Sequence, residues 1–527
     1  MMKWMPHYTE AQLVDEIVRL RFPKQFHFGT STSGYQSEGG FNGPDDPKNN
    51  WYYAETQGTV ERTGPGARFW ELFPEDLEYA SRMGCNAFRL GIEWARIQPE
   101  ADPESRRLPQ FDDSALNRYA VIIARCRELG MVPVVTLFHF THPLWLGLDP
   151  WLDGDKMIRR FTDYVDYAVS HINNRLINYH GVDPISYYIT INEPVMAPLA
   201  SYLFKMHPKG EKRGGKRDFI ASFENILIAH LAAYRKIHEI YQRNQWPKPT
   251  VTTNTWTSYV YPMDMMVQDI LLAPTHGIGH EDFYYYLSDR KKKFYDRLRH
   301  SPCRMHLTLR QRAIERLALS LMDRMFGRRP FPRLIEKVLS GSLLAPWMDV
   351  LAFDYYDPFP GDYLAIDSPV RIRLKKDPWE WGMVPDGLGG FLDVYSSAVG
   401  KIPLHIVENG MAYACKREGM PEPRPDGANR VDVLKAHLFE CLCALNRGVQ
   451  LGGYFYWTLS DNYEWGSFTP RFGMLGVDYV NGARRSPLDI AGNNAAGAYQ
   501  AIIQAFFQKD KVLLREAFRA TQYPLLF

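Results

Sequence analysis

The feature that most constrains this chain is a series of eight short apolar segments, each bounded by turn residues and rich in β-branched or aromatic side chains. They are FHFGTSTSGYQSE from Phe26, NAFRLGIEW from Asn86, VPVVTLFHF from Val132, ISYYITINEP from Ile185, TVTTNTWTSYVY from Thr250, DVLAFDYY from Asp349, PLHIVENG from Pro403 and GGYFYWTLSD from Gly452. Such runs read as strands buried on both faces. Segments of helical period lie between them. FDDSALNRYAVIIARCRELG opens with acidic residues and closes on Gly130, as a capped helix does. FTDYVDYAVSHINNRLINYH, SFENILIAHLAAYRKIHEIYQRN and VDVLKAHLFECLCALNRG have the same period. Alternating strands and helices imply a parallel sheet covered by helices, and eight such units imply a closed barrel. The expected fold is therefore α/β, a single (β/α)8 TIM barrel spanning residues 1–527, with a helical N-terminal extension over 1–22.

One stretch departs from this rhythm. The connection between the fifth and sixth strands, residues 263–345, is about twice the ordinary length of a βα unit. It contains DRKKKFYDRLRH and LRQRAIERLALSLMDRMFGRRPFPRLIEKVL, in which basic residues far outnumber acidic ones. LRQRAIERLALSLMDRMF has the spacing of an amphipathic helix. The expectation is a basic helical insertion packed on the barrel. Its sharper alternative is an oligomer contact or peripheral contact with an anionic membrane surface.

Charge and cysteine content exclude some classes. A net charge of +2 over 527 residues gives no electrostatic footprint for nucleic acid. The six cysteines are scattered without a C-x-x-C pair, so reduced, mostly buried thiols are expected, in a cytoplasmic protein. There is no apolar run of membrane-spanning length and no signal-peptide core. HGIGHED, with His276, His280 and Glu281, has a metal loop's residue types but not its spacing, and no metal or cofactor is expected. The chain lacks Gly-rich phosphate loops and H-E-x-x-H. The aromatic content of 14% suits either a large core or a sugar-binding cleft.

Active sites of such barrels sit at the C-terminal ends of the strands. Strand one ends near Gln36 and Glu38, strand two near Arg89, Glu93 and Trp94, and strand three at His139. Strand four ends at Asn192 and Glu193, and strand six at Tyr355 and Tyr356. Strand seven ends at Glu408 and Asn409, and strand eight at Trp457, followed by Asp461, Glu464 and Trp465. Singly, each has an ordinary structural explanation: a salt-bridged Glu, a satisfied His, a core Trp. Jointly, two carboxyl groups on strands four and seven, ringed by amides, an imidazole and indoles, form the layout for cleaving a glycosidic bond. One carboxyl protonates the leaving oxygen while the other attacks or activates water. Pro194 is expected to hold Glu193 in an extended backbone. A charged Glu408 should raise the Glu193 pKa, and donors such as Tyr356 and Arg89 should keep Glu408 ionised.

These segments resemble glycoside hydrolase family 1, the β-glucosidase/β-galactosidase family. TINEP at Thr190–Pro194 is similar to its acid/base motif, and VENG at Val407–Gly410 to its nucleophile motif. FRLGIEWARIQP, TLFHFTHPLWL, GYFYWTLSDNYEW and RFG at Arg471–Gly473 are similar to further motifs in the family's order. The resemblance implies retaining hydrolysis of a small-molecule β-O-glycoside, with Glu193 as acid/base and Glu408 as nucleophile. It places Asn192 at the sugar's 2-hydroxyl and Tyr356 against the nucleophile. Gln36, His139, Trp457, Glu464, Trp465 and Phe472 fall in the glycone pocket, and Arg89 and Asn409 are supporting residues. Glu193, rather than Gln, points away from the glucosinolate-cleaving members, and Glu464 points to an unphosphorylated sugar. The chain departs from the family pattern at Asp354, where Asn is usual, at Val407, at Thr141 and His142, and in the insertion. Two alternatives stand beside hydrolysis: transfer of the glycosyl group to a sugar or lipid acceptor, and a non-catalytic carbohydrate-binding barrel.

Overall fold

The structure is a computed structural model that describes residues 8–99, 108–299, 308–327, 329–341, 345–356, 358–359, 364–368, 371–374, 377–417 and 419–526. Nine parallel segments build the central sheet: β1 (His27–Ser31), β2 (Ala87–Gly91), β3 (Val132–Thr136), β4 (Tyr187–Ile189), β5 (Thr250–Thr252), β6 (Asn254–Trp256), β7 (Leu351–Tyr355), β8 (Leu404–Asn409) and β9 (Leu451–Trp457). Their order is β5-β4-β3-β2-β1-β9-β8-β7-β6. The two ends of that list are adjacent in the chain, with only Thr253 between them. β5 and β6 are therefore one barrel strand whose first half pairs with β4 and whose second half pairs with β7. The sheet closes into the expected eight-stranded ring. Side chains bridge the interruption: Thr253 Oγ1 donates to Ile191 O at 2.6 Å on one side, and Thr252 Oγ1 donates to Val350 O at 2.6 Å on the other.

All eight strand segments read from the sequence are present. The connecting helices are Phe69–Arg82, Asp113–Glu128, Gly154–His180, Lys216–Arg243, Pro385–Val399, Arg430–Asn446 and Ala495–Phe507. Asp113–Glu128 starts as its sequence demands, with the Asp112 carboxylate accepting from the Ser114 and Ala115 amides. It is followed by Gly130 at φ +77°. Alternation along the strands divides the side chains between two cores. On β2, Phe88 and Leu90 face the helices, whereas Ala87 joins Val134, Tyr187, Ile189, Ala352, Val407 and Phe455 inside the barrel.

Residues 10–19 form the helix expected near the N-terminus, with Leu13 and Ile17 buried; residues 1–7 lie outside the described part. In the long connection, Met265–Leu272, Phe283–Arg299, Leu309–Phe326 and Pro332–Ser340 are helical. They bury Phe283, Leu287, Phe294, Met322, Phe326, Leu334 and Val338. Residues 300–307, 328 and 342–344 of this stretch lie outside the described part. Cys85, Cys126, Cys415, Cys441 and Cys443 are free, buried thiols; Cys303 lies outside the described residues. Among the described residues, no helix is long and apolar enough to cross a membrane.

Candidate active site

The C-terminal ends of the strands surround one pocket. Gln36, His139, Asn192, Glu193, Tyr356, Glu408, Trp457, Glu464, Trp465 and Phe472 all line it. Arg89 and Asn409 lie behind its wall.

Arg89 organises the floor. It sits on the inward-facing register of β2 and is fully buried. Its Nη1 donates to Glu408 Oε1 at 2.5 Å and its Nε to Thr136 Oγ1 at 3.0 Å, while Nη2 donates to Asn192 Oδ1. The guanidinium fork thus ties the ends of β2, β3 and β8 and the Asn192 segment together. Tyr356 Oη donates to the other Glu408 oxygen at 3.0 Å. Strict alternation would turn Glu408 away from the pocket, because Ile406 faces the helices and Val407 faces inward. The β7–β8 register shifts between Ile406 and Glu408, and this irregularity re-aims the carboxylate. Ser31 Oγ (2.6 Å) and Arg89 Nη1 (3.3 Å) both donate to the displaced Val407 carbonyl. Asn409 faces elsewhere: its amide donates to Tyr355 O, and its carbonyl oxygen accepts from Tyr454 Oη, both at 2.7 Å.

Glu193 is buried and belongs to the same pocket. Its backbone is not extended as the following proline suggests; φ is +35°. The turn after β4 overrides the local preference, since Met196 N returns to Glu193 O at 2.8 Å. Phe140 and Trp465 on the pocket rim also have positive φ, +68° and +49°. Strained backbone of this kind concentrates at sites whose surroundings over-determine it.

Burial dominates the electrostatics. It pushes Glu193 up to about 8, with the negative charge of Glu408 as the second cause, whereas the sequence pointed to Glu408 alone. Burial also raises Glu408 above the ordinary carboxylate range, although Arg89 and Tyr356 pull it down. The donors expected to hold its charge are in place, but desolvation outweighs them. Glu464 is raised to about 8, again chiefly by burial.

A further part of the pocket wall is carried by β1, β3 and β9 and the turns that follow them. Trp457 Nε1 donates to Glu464 Oε1 at 2.8 Å, and the His139 ring stacks on Trp457 at 5.6 Å. Burial, with Arg89 nearby, holds His139 neutral. Gln36 is oriented from both ends, with Nε2 donating to Tyr463 O at 2.9 Å and Oε1 accepting from Ser33 Oγ at 2.6 Å. Phe472 packs edge-on against Tyr356 with centroids 6.0 Å apart.

Two carboxylates named at strand ends are structural. Glu38 pairs with Arg96 at 2.9 Å, and Glu93 accepts from the Tyr35 amide and from Thr141 Oγ1. The pocket also has walls that strand ends did not reveal: Trp256, Met196 and Trp381. Trp256 ends β6 and was within reach of the same reasoning. Trp381 comes from a loop with no periodic signal.

Comparison with known proteins agrees with this geometry. The profile of "Glycosyl hydrolase family 1" matches residues 18–295 and 363–505, leaving out the second half of the long connection and β7. A β-galactosidase of Sulfolobus acidocaldarius is 27% identical, over 88% of this chain and 92% of its own. β-Glucosidase A of Thermotoga maritima is 26% identical, over 87% and 94%. A 6-phospho-β-galactosidase of Streptococcus pneumoniae is 24% identical, over 87% and 94%. The structure of a Thermotoga maritima β-glucosidase in complex with glucoimidazole superposes with a TM-score of 0.65 at 21% identity, covering 93% of this chain and 99% of that one, a likeness of fold. With a profile match over most of its length and the motif-bearing strand ends gathered round one pocket, the chain belongs to glycosyl hydrolase family 1.

Proposed function

We propose that the protein hydrolyses β-O-glycosides, β-glucosides foremost and β-galactosides or β-fucosides besides, by double displacement with retention. The observation that carries this reading is the sharing of one buried pocket by Glu193 and Glu408 in unlike environments. Glu408 has the guanidinium of Arg89 and the phenol of Tyr356 to stabilise its charge. Among the described residues no cation bonds Glu193, and its pKa is about 8, so it enters the reaction protonated at neutral pH. Pairs of carboxyls driven apart in this way divide into acid and nucleophile.

In the first step Glu408 attacks the anomeric carbon while Glu193 gives its proton to the departing oxygen. Glycosylation removes the Glu408 charge, the Glu193 pKa falls, and Glu193 takes a proton from the attacking water in the second step. Asn192, held by Arg89 and Asn254, is placed for the hydroxyl next to the reacting carbon. Trp457 supplies an apolar face, and Gln36 and Glu464 are placed for the outer hydroxyls. Among the described residues, the pocket wall carries neither Lys nor Arg. A sugar phosphate would meet Glu464 and no cation, which favours an unphosphorylated glycone.

The test is chemical rescue. Glu408→Gly should lose activity on aryl β-glucosides and recover it with azide, yielding the α-glycosyl azide. A β-configured azide, or undiminished hydrolysis without azide, would refute the assignment.

A further inference from the structure

Asp354 occupies the inward face of β7, next to Glu408 in the ladder, and is completely buried. One carboxyl oxygen, Oδ2, accepts from Asn254 Nδ2, and the same amide holds Asn192 Oδ1 at 2.8 Å. The other, Oδ1, meets no N–H donor and no hydroxyl among the described residues. The Glu193 side chain lies within hydrogen-bonding reach of the Asp354 carboxyl. Ionised carboxylates only accept hydrogen bonds, so a bond between these two groups requires a proton on one of them.

The surrounding charges say how many protons the cluster holds. Glu408 faces the pair from β8, Arg89 from β2, the Tyr356 phenol from the end of β7, and Glu464 from beyond β9. Arg89 is the cation that acts on both groups among the described residues, and it is committed to Glu408 and Asn192. Full ionisation of Glu193, Asp354 and Glu408 would bury two charges without a counter-ion, a state that groups in low-dielectric surroundings avoid by binding protons. The charge settles on Glu408, beside the guanidinium.

We infer that Asp354 is a positioning residue for Glu193: a neutral carboxylic acid that donates a hydrogen bond to it throughout the working pH range. The inference rests on Glu193 being the acid/base. Burial, then the charges of Glu408 and Glu193, hold Asp354 far above the ordinary carboxylate range, and the mutual bond lowers Glu193. During cleavage Glu193 passes its own proton to the leaving oxygen, which keeps the electron pair of the broken C–O bond, while Glu408 bonds to the carbon. Asp354 retains its proton throughout. Its O–H then points at a newly formed carboxylate, and a hydrogen bond to an ion is roughly twice as strong as a neutral one. The bond therefore strengthens as the reaction proceeds, which is the condition for accelerating it.

The experiment compares kcat/KM against pH on an aryl β-glucoside for the parent, Asp354→Asn and Asp354→Ala. Asn keeps a neutral donor, so its alkaline limb should stay in place, with kcat within a few-fold of the parent. Ala removes the donor, so the alkaline limb should move to higher pH and kcat should fall about tenfold, equivalent to ~1.4 kcal/mol, with KM little changed. An Asn variant whose alkaline limb moves down by about one pH unit would mean that an ionised neighbour had been removed, and would overturn the inference. So would an Ala profile that superposes on the parent's. Infrared spectroscopy at neutral pH provides a second reading: Asp354→Asn should lose one protonated-carboxyl band, and an unchanged spectrum refutes the neutral acid even where a variant folds poorly. Glu193→Gln, assayed with a poor leaving group, separates the two readings. Full activity there would overturn the acid/base assignment, while the infrared count would still judge Asp354.

Discussion

Arg89 Nη1 lies 2.5 Å from Glu408 Oε1, and among the described residues neither side chain has another ionic partner within 4.0 Å. The pair spans the barrel interior from β2 to β8, where the guanidinium is wholly buried and the carboxylate nearly so. In the proposed mechanism its role is to let Glu408 keep its charge where water cannot solvate it.

Replacing Arg89 by Met should therefore harm both stability and chemistry. Removing one partner of a buried pair leaves the other uncompensated, at a cost of about 3–5 kcal/mol. Glu408 would bind a proton instead, so the acid limb of kcat/KM should move to higher pH. Thermal denaturation and a pH–rate profile check both effects; a Met variant with the parent's acid limb would show that Arg89 does not hold the Glu408 charge.

The parent's own pH profile follows from the same groups. The proposed mechanism needs Glu408 ionised and Glu193 protonated. Burial raises Glu408 above the ordinary carboxylate range, so the acid limb should fall higher than a free glutamate would give. Glu193 lies at about 8, so the alkaline limb should fall near there. The profile should be a bell in kcat/KM, and the two limbs belong to the coupled pair rather than to either residue alone. A rate still rising above pH 9 would contradict this.

Stability should respond to acid through His230. Its Nδ1 meets Thr190 Oγ1 at 2.7 Å and its Nε2 meets Trp347 O at 2.9 Å. Burial lowers it from 6.5 to about 4. A depressed folded-state pKa means that the unfolded chain takes up the proton first, so this contribution is present above about pH 6.5 and is lost as the pH falls towards 4. Its full size is on the order of 3 kcal/mol. His230→Gln should flatten the dependence of Tm on pH in that window relative to the parent. Parallel curves would refute it.

Gly410 lies two residues beyond Glu408, at a place where a side chain does not fit. A Cβ at this position would stand 2.1 Å from the Trp457 carbonyl oxygen. Gly410→Ala should cost about 1–3 kcal/mol through overpacking. It should also lower kcat by pushing β8 and β9 apart, moving Glu408 and Trp457 together. Unchanged kinetics and Tm would show that the strand ends absorb a methyl group without adjustment.

The barrel was legible because its strands repeat one signal eight times, and the pocket because strand ends are where such a barrel carries chemistry. Alternation alone puts Arg89 and Asp354 inside, on the same face as Ala87 and Ala352. It does not place Glu408, which depends on a register shift that no periodicity reveals. The Glu193 backbone was misjudged from Pro194 because tertiary bonding outweighs a one-residue preference. Asp354 was visible as a departure from the family pattern, but its proton was not: that depends on how many carboxyls share how few cations, a property of packing. Trp381 escaped notice because a loop residue has no period to betray its direction.

The one-residue break at Thr253 has a mechanical consequence. A single strand serves as the clasp of the whole cylinder, gripping one neighbour with its lower half and the other with its upper half. Each grip is only three residues long, and the hydroxyls of Thr252 and Thr253 act as rivets pulling in opposite directions across the joint. The long basic connection leaves from the upper half, so a load on that excursion is delivered straight to the clasp.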